Sequence, residues 1–413
     1  MTSDEQRAFG ARVAELRNDR GLTQSELAAS IGRTASWLSQ VERGIQPVNR
    51  LPVLRLLADG LGVPLQALQA DAPTAPTRTE ASEELKPNDL DHARLVISGH
   101  PAPDVLLQPR DDFRPETLRD LRTAVEKVWE LTHSNQFAQL SATLGPLLPR
   151  LERASRTASE QHRPELNALL ARTYQALAAA FVRQDEADAA WVAADRAIRA
   201  AELADKPLDA LASTYRLAQA FVRLKRLDQA EHVATRAVEA LQRRVGDSDG
   251  TPEELSVLGS LQLLLATVYA RAGERTSSRD QIAHARATAK RLNQDRNDFN
   301  LEFGPTNVEI QAVSTAVELG DAGEALDVGE HIDASGLSIE RQARLLMDLG
   351  RAHAQRRQFS NSLDCLLKAE KIAPEMIRSH VAARNVIREL MLVAGRKASP
   401  ELRSLAERSD ATP

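Results

Sequence analysis

The chain has 413 residues, with 53 Lys and Arg against 58 Asp and Glu, for a formal net charge of −5. That length suggests two or three domains, and the balance excludes a surface built to bind nucleic acid along its whole extent. No apolar run of about eighteen residues reads as a membrane span, the polar start MTSDEQRAFG does not read as a secretory signal, and the lone Cys365 excludes an internal disulfide and fits a reducing cytosol.

Phe9, Val13 and Leu16 recur at helical spacing and open the chain with an amphipathic helix. Thr23 followed by Glu26 is a capping box, in which each side chain satisfies a backbone donor that a helix start leaves free. Leu27, Ala28 and Ile31 then share a face, and Gly32 closes the helix. Thr34 is the next N-cap. Leu38 and Val41 face inward and Gly44 ends this second helix. Ala35, Ser36, Ser39, Gln40 and Arg43 are left pointing outward. Asn49 is placed to cap a helix carrying Leu51, Leu54, Ala58 and Leu61, and a last short helix is expected from Pro64, with Leu65 and Leu68.

Five helices in about seventy residues, two of them joined as a helix-turn-helix, resemble the Cro/phage-repressor or XRE family. The matching residues are Arg17, Gly21, Leu22, Thr23, Gln24, Leu27, Ala28, Gly32, Ser39, Glu42, Gly44, Pro47, Leu57, Ala58, Leu61, Gly62 and Val63. The resemblance implies that Gln24 holds a phosphate and that Ala35, Ser36 and Gln40 occupy base-facing positions. Trp37 stands near the sugar-phosphate backbone, and Arg43, Asn49 and Arg50 take phosphates. Arg33, Thr34 and Ser39 complete the implied DNA-contacting set. Arg17 and Glu42 match an ion pair that joins the first helix to the recognition helix. Ala35 departs from the polar side chain common at the first reading position, so readout is expected to be sparse.

Residues 1–70 carry eight Arg and no Lys against seven acids, net +1, which leaves about −6 for the remainder. DNA is therefore expected to meet only this domain, and a domain so weakly charged calls for a homodimer.

Residues 71–113 read as a proline-rich linker: seven of the nineteen prolines fall between positions 71 and 115. HARLVISG within it takes no firm assignment. From residue 114 to 413 nearly everything is helical and repeats itself. Ala178, Phe181, Ala190 and Ala197 stand at relative positions 8, 11, 20 and 27 of a helical hairpin. The same places are filled by Ala218, Phe221, Ala230 and Ala237, and then by Ala266, Tyr269, Ser278 and Ala285. A degenerate fourth copy has Asn307, Ala325 and Ile332, and a fifth has Gly350, His353, Ser362, Ala369 and a closing Pro374. Small residues at 8, 20 and 27 let paired helices approach, and the bulky residue at 11 fills the space between them. This resembles the tetratricopeptide repeat, with lengthened intervals. LTHSNQFAQLSATLGPLLPRL reads as an earlier, divergent hairpin and residues 376–408 as a terminal capping pair.

Stacked repeats make a concave surface lined by relative positions 2, 5 and 9. Here those are Arg172, Gln175, Tyr215, Gln219, Thr267, Asn307, Arg344 and Arg351, whose amide and guanidinium groups suit an extended peptide.

Chemistry is not evident. No HExxH, GxGxxG, P-loop or GxSxG stretch occurs, and His331 with Asp333 lacks further metal ligands. Glu253 and Glu254 after Thr251–Pro252 read as helix N-terminal charges. The sequence thus predicts an all-α, non-enzymatic, cytoplasmic bacterial regulator of transcription, without cofactor or metal. Its expected partners are a double-stranded DNA operator, a second copy of itself, and a peptide, protein or small-molecule effector in the repeat groove. Its architecture is similar to that of the peptide-pheromone receptors of Gram-positive bacteria. The alternative is an interaction scaffold whose DNA-binding domain is vestigial or serves assembly.

Overall fold

A computed structural model describes residues 3–31, 33–45, 48, 51–63, 68, 88–103, 107, 116–246 and 250–412. It is all-α, and among the described residues the only β pairing is one antiparallel bridge between Arg296 and Phe303. The chain divides into two units, residues 1–85 and 86–413.

The first unit holds α1 (Ser3–Asp19), α2 (Gln24–Ser30), α3 (Ala35–Glu42) and α4 (Leu51–Leu61). Phe9, Val13, Leu27, Leu38, Val41, Leu57, Leu61 and Leu68 form its core. Gly10 lets α1 cross α3: a Cβ there would stand 2.3 Å from the Val41 carbonyl oxygen and 2.6 Å from that of Glu42. Gly32, Asn49, Arg50 and the expected helix start at Pro64 lie outside the described residues.

The second unit begins with α5 (Asp91–Ile97), inside the expected linker. Its Leu90, Ala93 and Ile97 join the core of the repeat unit, the Ala93 amide donates to Ser141 Oγ at 2.9 Å, and Arg94 reaches Glu186 at 2.6 Å. Part of the proline-rich stretch is therefore ordered. Its three apolar residues at helical spacing are too few to stand out in the sequence.

Helical hairpins follow: α6 (Glu116–His133) with α7 (Phe137–Thr157), α8 (Arg163–Arg183) with α9 (Ala187–Leu203), and α10 (Pro207–Arg223) with α11 (Leu227–Val245). Next come α12 (Pro252–Ala272) with α13 (Arg275–Leu292), α14 (Pro305–Glu318) with α15 (Ala322–Gly329), and α16 (Ile339–Gln355) with α17 (Phe359–Ile372). Ala178, Ala190, Ala197, Ala218, Ala230, Ala266, Ala285 and Ala369 are all completely buried where paired helices touch. Where position 20 is serine, its hydroxyl donates to the carbonyl at position 8: Ser278 to Ala266 at 2.9 Å, Ser362 to Gly350 at 2.8 Å.

Each hairpin turns on one residue in the left-handed region: Asn135 between α6 and α7, and then, at relative position 15, Asp185, Lys225, Gly273, Gly320 and Arg357. The next amide then donates back to the carbonyl at position 11, as in Glu186 to Phe181 and Arg226 to Phe221, both at 2.9 Å.

Three expectations are corrected. α15 stops at Gly329, so Ile332 lies beyond the helix, in the segment leading to α16, although it still packs on that hairpin's core. The terminal pair is three helices, α18 (Pro374–Ser379), α19 (Val381–Ala394) and α20 (Pro400–Arg408), because His380 leaves helical geometry and caps α19. α12 is long and apolar enough to pass for a membrane span, with a mean hydropathy of 1.4; 78% of that window is buried inside the protein. It packs against α10, α11, α13 and α14.

Candidate DNA-binding surface and ligand groove

α3 is placed by local and tertiary contacts that the sequence states in part. The Thr23 amide donates to Glu26 Oε2 at 2.7 Å and the Glu26 amide to Thr23 Oγ1 at 3.2 Å, which fixes the start of α2 and holds the Glu26 carboxyl below its ordinary range. Thr34 caps α3 through the Trp37 amide. Arg17 grips Glu42 with two hydrogen bonds of 2.6 and 3.2 Å and the Leu22 carbonyl with a third of 2.7 Å. Glu42 thus ties the end of α3 to α1. Such a pair orients a helix more than it stabilises the fold.

Leu38 and Val41 are buried. Arg33, Thr34, Ser36 and Arg43 are exposed, and Ala35, Trp37, Ser39 and Gln40 half-buried. The Arg33 guanidinium lies over the Trp37 ring, 5.4 Å from its centre. Arg43 Nε donates to the Ser39 carbonyl at 3.2 Å, and Gln24 Nε2 to Glu42 Oε2 at 2.6 Å. Gln24 is therefore engaged by the clamp in this structure.

The repeat unit encloses a cavity of about 610 Å³ between α6, α8 and α10 on one side and α16 and α18 on the other. Arg183 lines it and bonds the Thr132 carbonyl and, 157 residues along the chain, Glu340. The segment between α13 and α14 crosses it: Arg216 donates to the Asn300 carbonyl at 2.6 Å, and Arg341 to Glu302 at 2.8 Å. Phe299, Asn300 and Glu302 there all have positive φ, and Phe303 is driven onto Gly259, where a Cβ would meet its ring at 1.9 Å.

Charge inside is concentrated. Burial pushes the Arg216 guanidinium down to about 10. Burial alone would raise the Glu340 carboxyl, but Arg183, Arg341, Arg344 and Arg216 together hold it below its ordinary range. His380 is driven well below its usual value by burial and by Arg344, Arg223, Arg351 and Arg271.

Of the eight groove residues expected from the repeat register, Tyr215, Gln219, Thr267, Asn307 and Arg344 line one continuous region. Arg172 is exposed outside it. Gln175 is buried between α8 and α10, donating to the Asp209 carbonyl at 3.0 Å and to Ser213 at 2.9 Å. Arg351 is engaged by Asp348 at 2.9 Å and Glu318 at 3.1 Å. Sequence reasoning missed Arg216, Arg223, Arg271 and Arg341. Position 13 of the repeat held the signal for two of them.

Among the described residues no group of three or more His, Cys, Asp or Glu could hold a metal. Asp333 accepts the Ser335 amide at 3.0 Å within its own turn, and His331 bonds the Asp327 carbonyl at 2.8 Å.

Fold and surface define a chain that carries a helix-turn-helix domain ahead of an all-α domain of tetratricopeptide-like hairpins. Residues 8–71 match the family model described as a helix-turn-helix domain. No curated protein matches the chain. Among solved structures, it is similar to PlcR of Bacillus thuringiensis in complex with the peptide PapR7 and DNA, at 13% identity and a TM-score of 0.29, over 89% of this chain and 99% of that one. A likeness that distant assigns no residue here.

Proposed function

We propose that this chain is a sequence-specific DNA-binding regulator of transcription that acts as a homodimer. Its repeat unit dimerises and takes an effector, a peptide by preference, in the arginine-lined groove. One observation carries the DNA-binding half: α3 turns Ser36, Gln40 and Arg43 outward while Leu38 and Val41 are buried and Glu42 is clamped by Arg17. A helix fixed at its end, with short hydrogen-bonding side chains on its free face, fits a major groove. Selection of randomised duplexes by the full chain should enrich a pseudo-palindrome with half-sites about one helical turn or more apart. An absence of any enriched sequence would favour the scaffold instead. Sedimentation at micromolar concentration should show a dimer, and a monomer both alone and on DNA contradicts the assembly proposed.

A further inference from the structure

Apart from the groove, the repeat unit has a second hollow, of about 740 Å³, where the C-terminal turns of α7 and α9 meet the N-terminal part of α8. It shares no lining residue with the groove. The segment that leaves α5 forms one edge. Arg196 of α9 fastens that segment by donating to the Gly99 carbonyl at 2.8 Å, and lies over the Tyr174 ring, 5.8 Å from its centre. His100 and Pro101 are thereby held at the hollow.

The hydrogen bonds of His100 point to a missing acceptor. The Ala102 amide donates to its Nδ1 at 3.1 Å. Ala102 is 2% exposed, so its amide is screened from water and the ring must accept from it. A neutral imidazole accepts at only one nitrogen, which puts the proton on Nε2. Nε2 stands 3.2 Å from Nη2 of Arg156, which is also a donor. Two N–H donors therefore face each other on the wall of the hollow. An oxyanion that reached both would turn that contact into two charge-assisted hydrogen bonds.

The charge around them has the matching sign. Arg163, Arg196 and Arg199 line the hollow with Arg156, against one carboxylate, Glu152. Glu152 is already engaged: it accepts the Tyr174 hydroxyl at 2.9 Å and lies 3.7 Å from Arg156 Nε. Arg199 also pairs with Asp195, at 3.2 Å, on the protein surface. A surplus of positive charge remains, which favours a doubly charged anion over a singly charged one. Leu170, Ala200 and Leu203 add apolar surface, and the hollow is larger than a bare phosphate needs.

We propose that this hollow binds a phosphomonoester of a small organic molecule. Its phosphate is held by His100 Nε2–H and the Arg156 guanidinium, and its organic part lies on Leu170, Ala200 and Leu203. Arg163 and Arg199 strengthen the field at the phosphate. The site is separate from the effector groove and does not depend on what the groove takes.

The test is calorimetric titration of the full chain with phenyl phosphate, phenylacetate and inorganic phosphate at equal ionic strength. Phenyl phosphate should bind about tenfold more tightly than either of the others. Arg156 is exposed, so Arg156→Gln should lower that affinity about tenfold while leaving the thermal midpoint of the free protein unchanged. His100→Asn keeps an acceptor for the Ala102 amide, as an Asx turn does, and removes the Nε2 donor. It should lower the affinity several-fold. Equal affinity for phenyl phosphate and phenylacetate overturns the phosphate assignment, and equal affinity for phenyl phosphate and inorganic phosphate overturns the role of the apolar surface. Binding that survives both substitutions lies elsewhere and overturns the site, as does an absence of binding by all three probes. If Arg156→Gln weakens binding to duplex DNA and leaves phenyl phosphate untouched, the arginines serve a nucleic-acid backbone and the proposal likewise fails.

Discussion

At the scale of single residues, the turns of the repeat unit carry a cost that glycine would remove. Gly273 and Gly320 take the left-handed conformation at position 15 freely, whereas Lys225 takes it with φ 60° and Arg357 with φ 59°. A side chain in that region costs about 1–2 kcal/mol, against which a glycine loses up to about 1 kcal/mol in the unfolded chain. Lys225→Gly should therefore stabilise the protein by at most about 1 kcal/mol, read as a raised urea midpoint with an unchanged slope. A lowered midpoint would mean that the lysine makes a compensating contact. Residue-scale features differed in how far the sequence announced them. The Thr23–Glu26 box and the Thr34 cap span three residues each and could be read directly. Gly10 was readable only as an unexplained glycine inside a helical pattern, because the carbonyls it must clear belong to residues thirty positions away.

At the scale of elements, the hairpins were legible because their small residues recur at a fixed spacing, and close helix packing needs them. The segment between α13 and α14 was not legible. Nothing periodic marks NDFNLEF, yet Leu301 and Phe303 are buried and the two arginines that fasten its backbone come from α10 and α16. Phe303, with no exposed surface, seats on Gly259 of α12 and joins the cluster with Val245, Leu255 and Val308. Phe303→Ala should cost about 3–5 kcal/mol, since the wall it leaves is a helix backbone that cannot collapse. Chemical denaturation measures this, and a loss below 1 kcal/mol would show that the segment is not anchored by this ring. The groove was likewise half-readable. Five of the eight side chains at positions 2, 5 and 9 line the groove region, but Arg172 stands outside it, and whether a polar side chain is free or spent depends on partners from other repeats, as the bonds of Gln175 and Arg351 show.

At the scale of the whole molecule, the second unit is closed on itself through Arg183 and Glu340. The Glu340 carboxyl is held below its ordinary value of 4.5. A depressed carboxyl contributes stability that is present above its unfolded pKa and lost as pH falls through the folded one. Glu340→Gln should accordingly lower stability at pH 7 by about 1–3 kcal/mol, and the gap from wild type should narrow as pH falls from 4.5 through the folded-state value. A gap that does not narrow over that fall would assign the loss to packing rather than charge. The first unit makes a different demand. Residues 1–70 carry eight arginines against seven acids, so phosphate attraction alone does not explain selective binding. In the function proposed, selectivity comes from α3. A side chain on a base edge carries sequence information, worth about 1–3 kcal/mol for a good bidentate contact, whereas one on phosphate adds only to salt dependence. The most direct measurement is a salt series of binding isotherms for wild type, Gln40→Ala and Arg43→Ala on selected and scrambled duplexes. Gln40→Ala should weaken binding to the selected duplex and leave scrambled binding nearly unchanged. Arg43→Ala should weaken both alike and lower the salt slope by about one unit per subunit. If Gln40→Ala lowers both affinities equally, α3 does not read DNA through the face it leaves free.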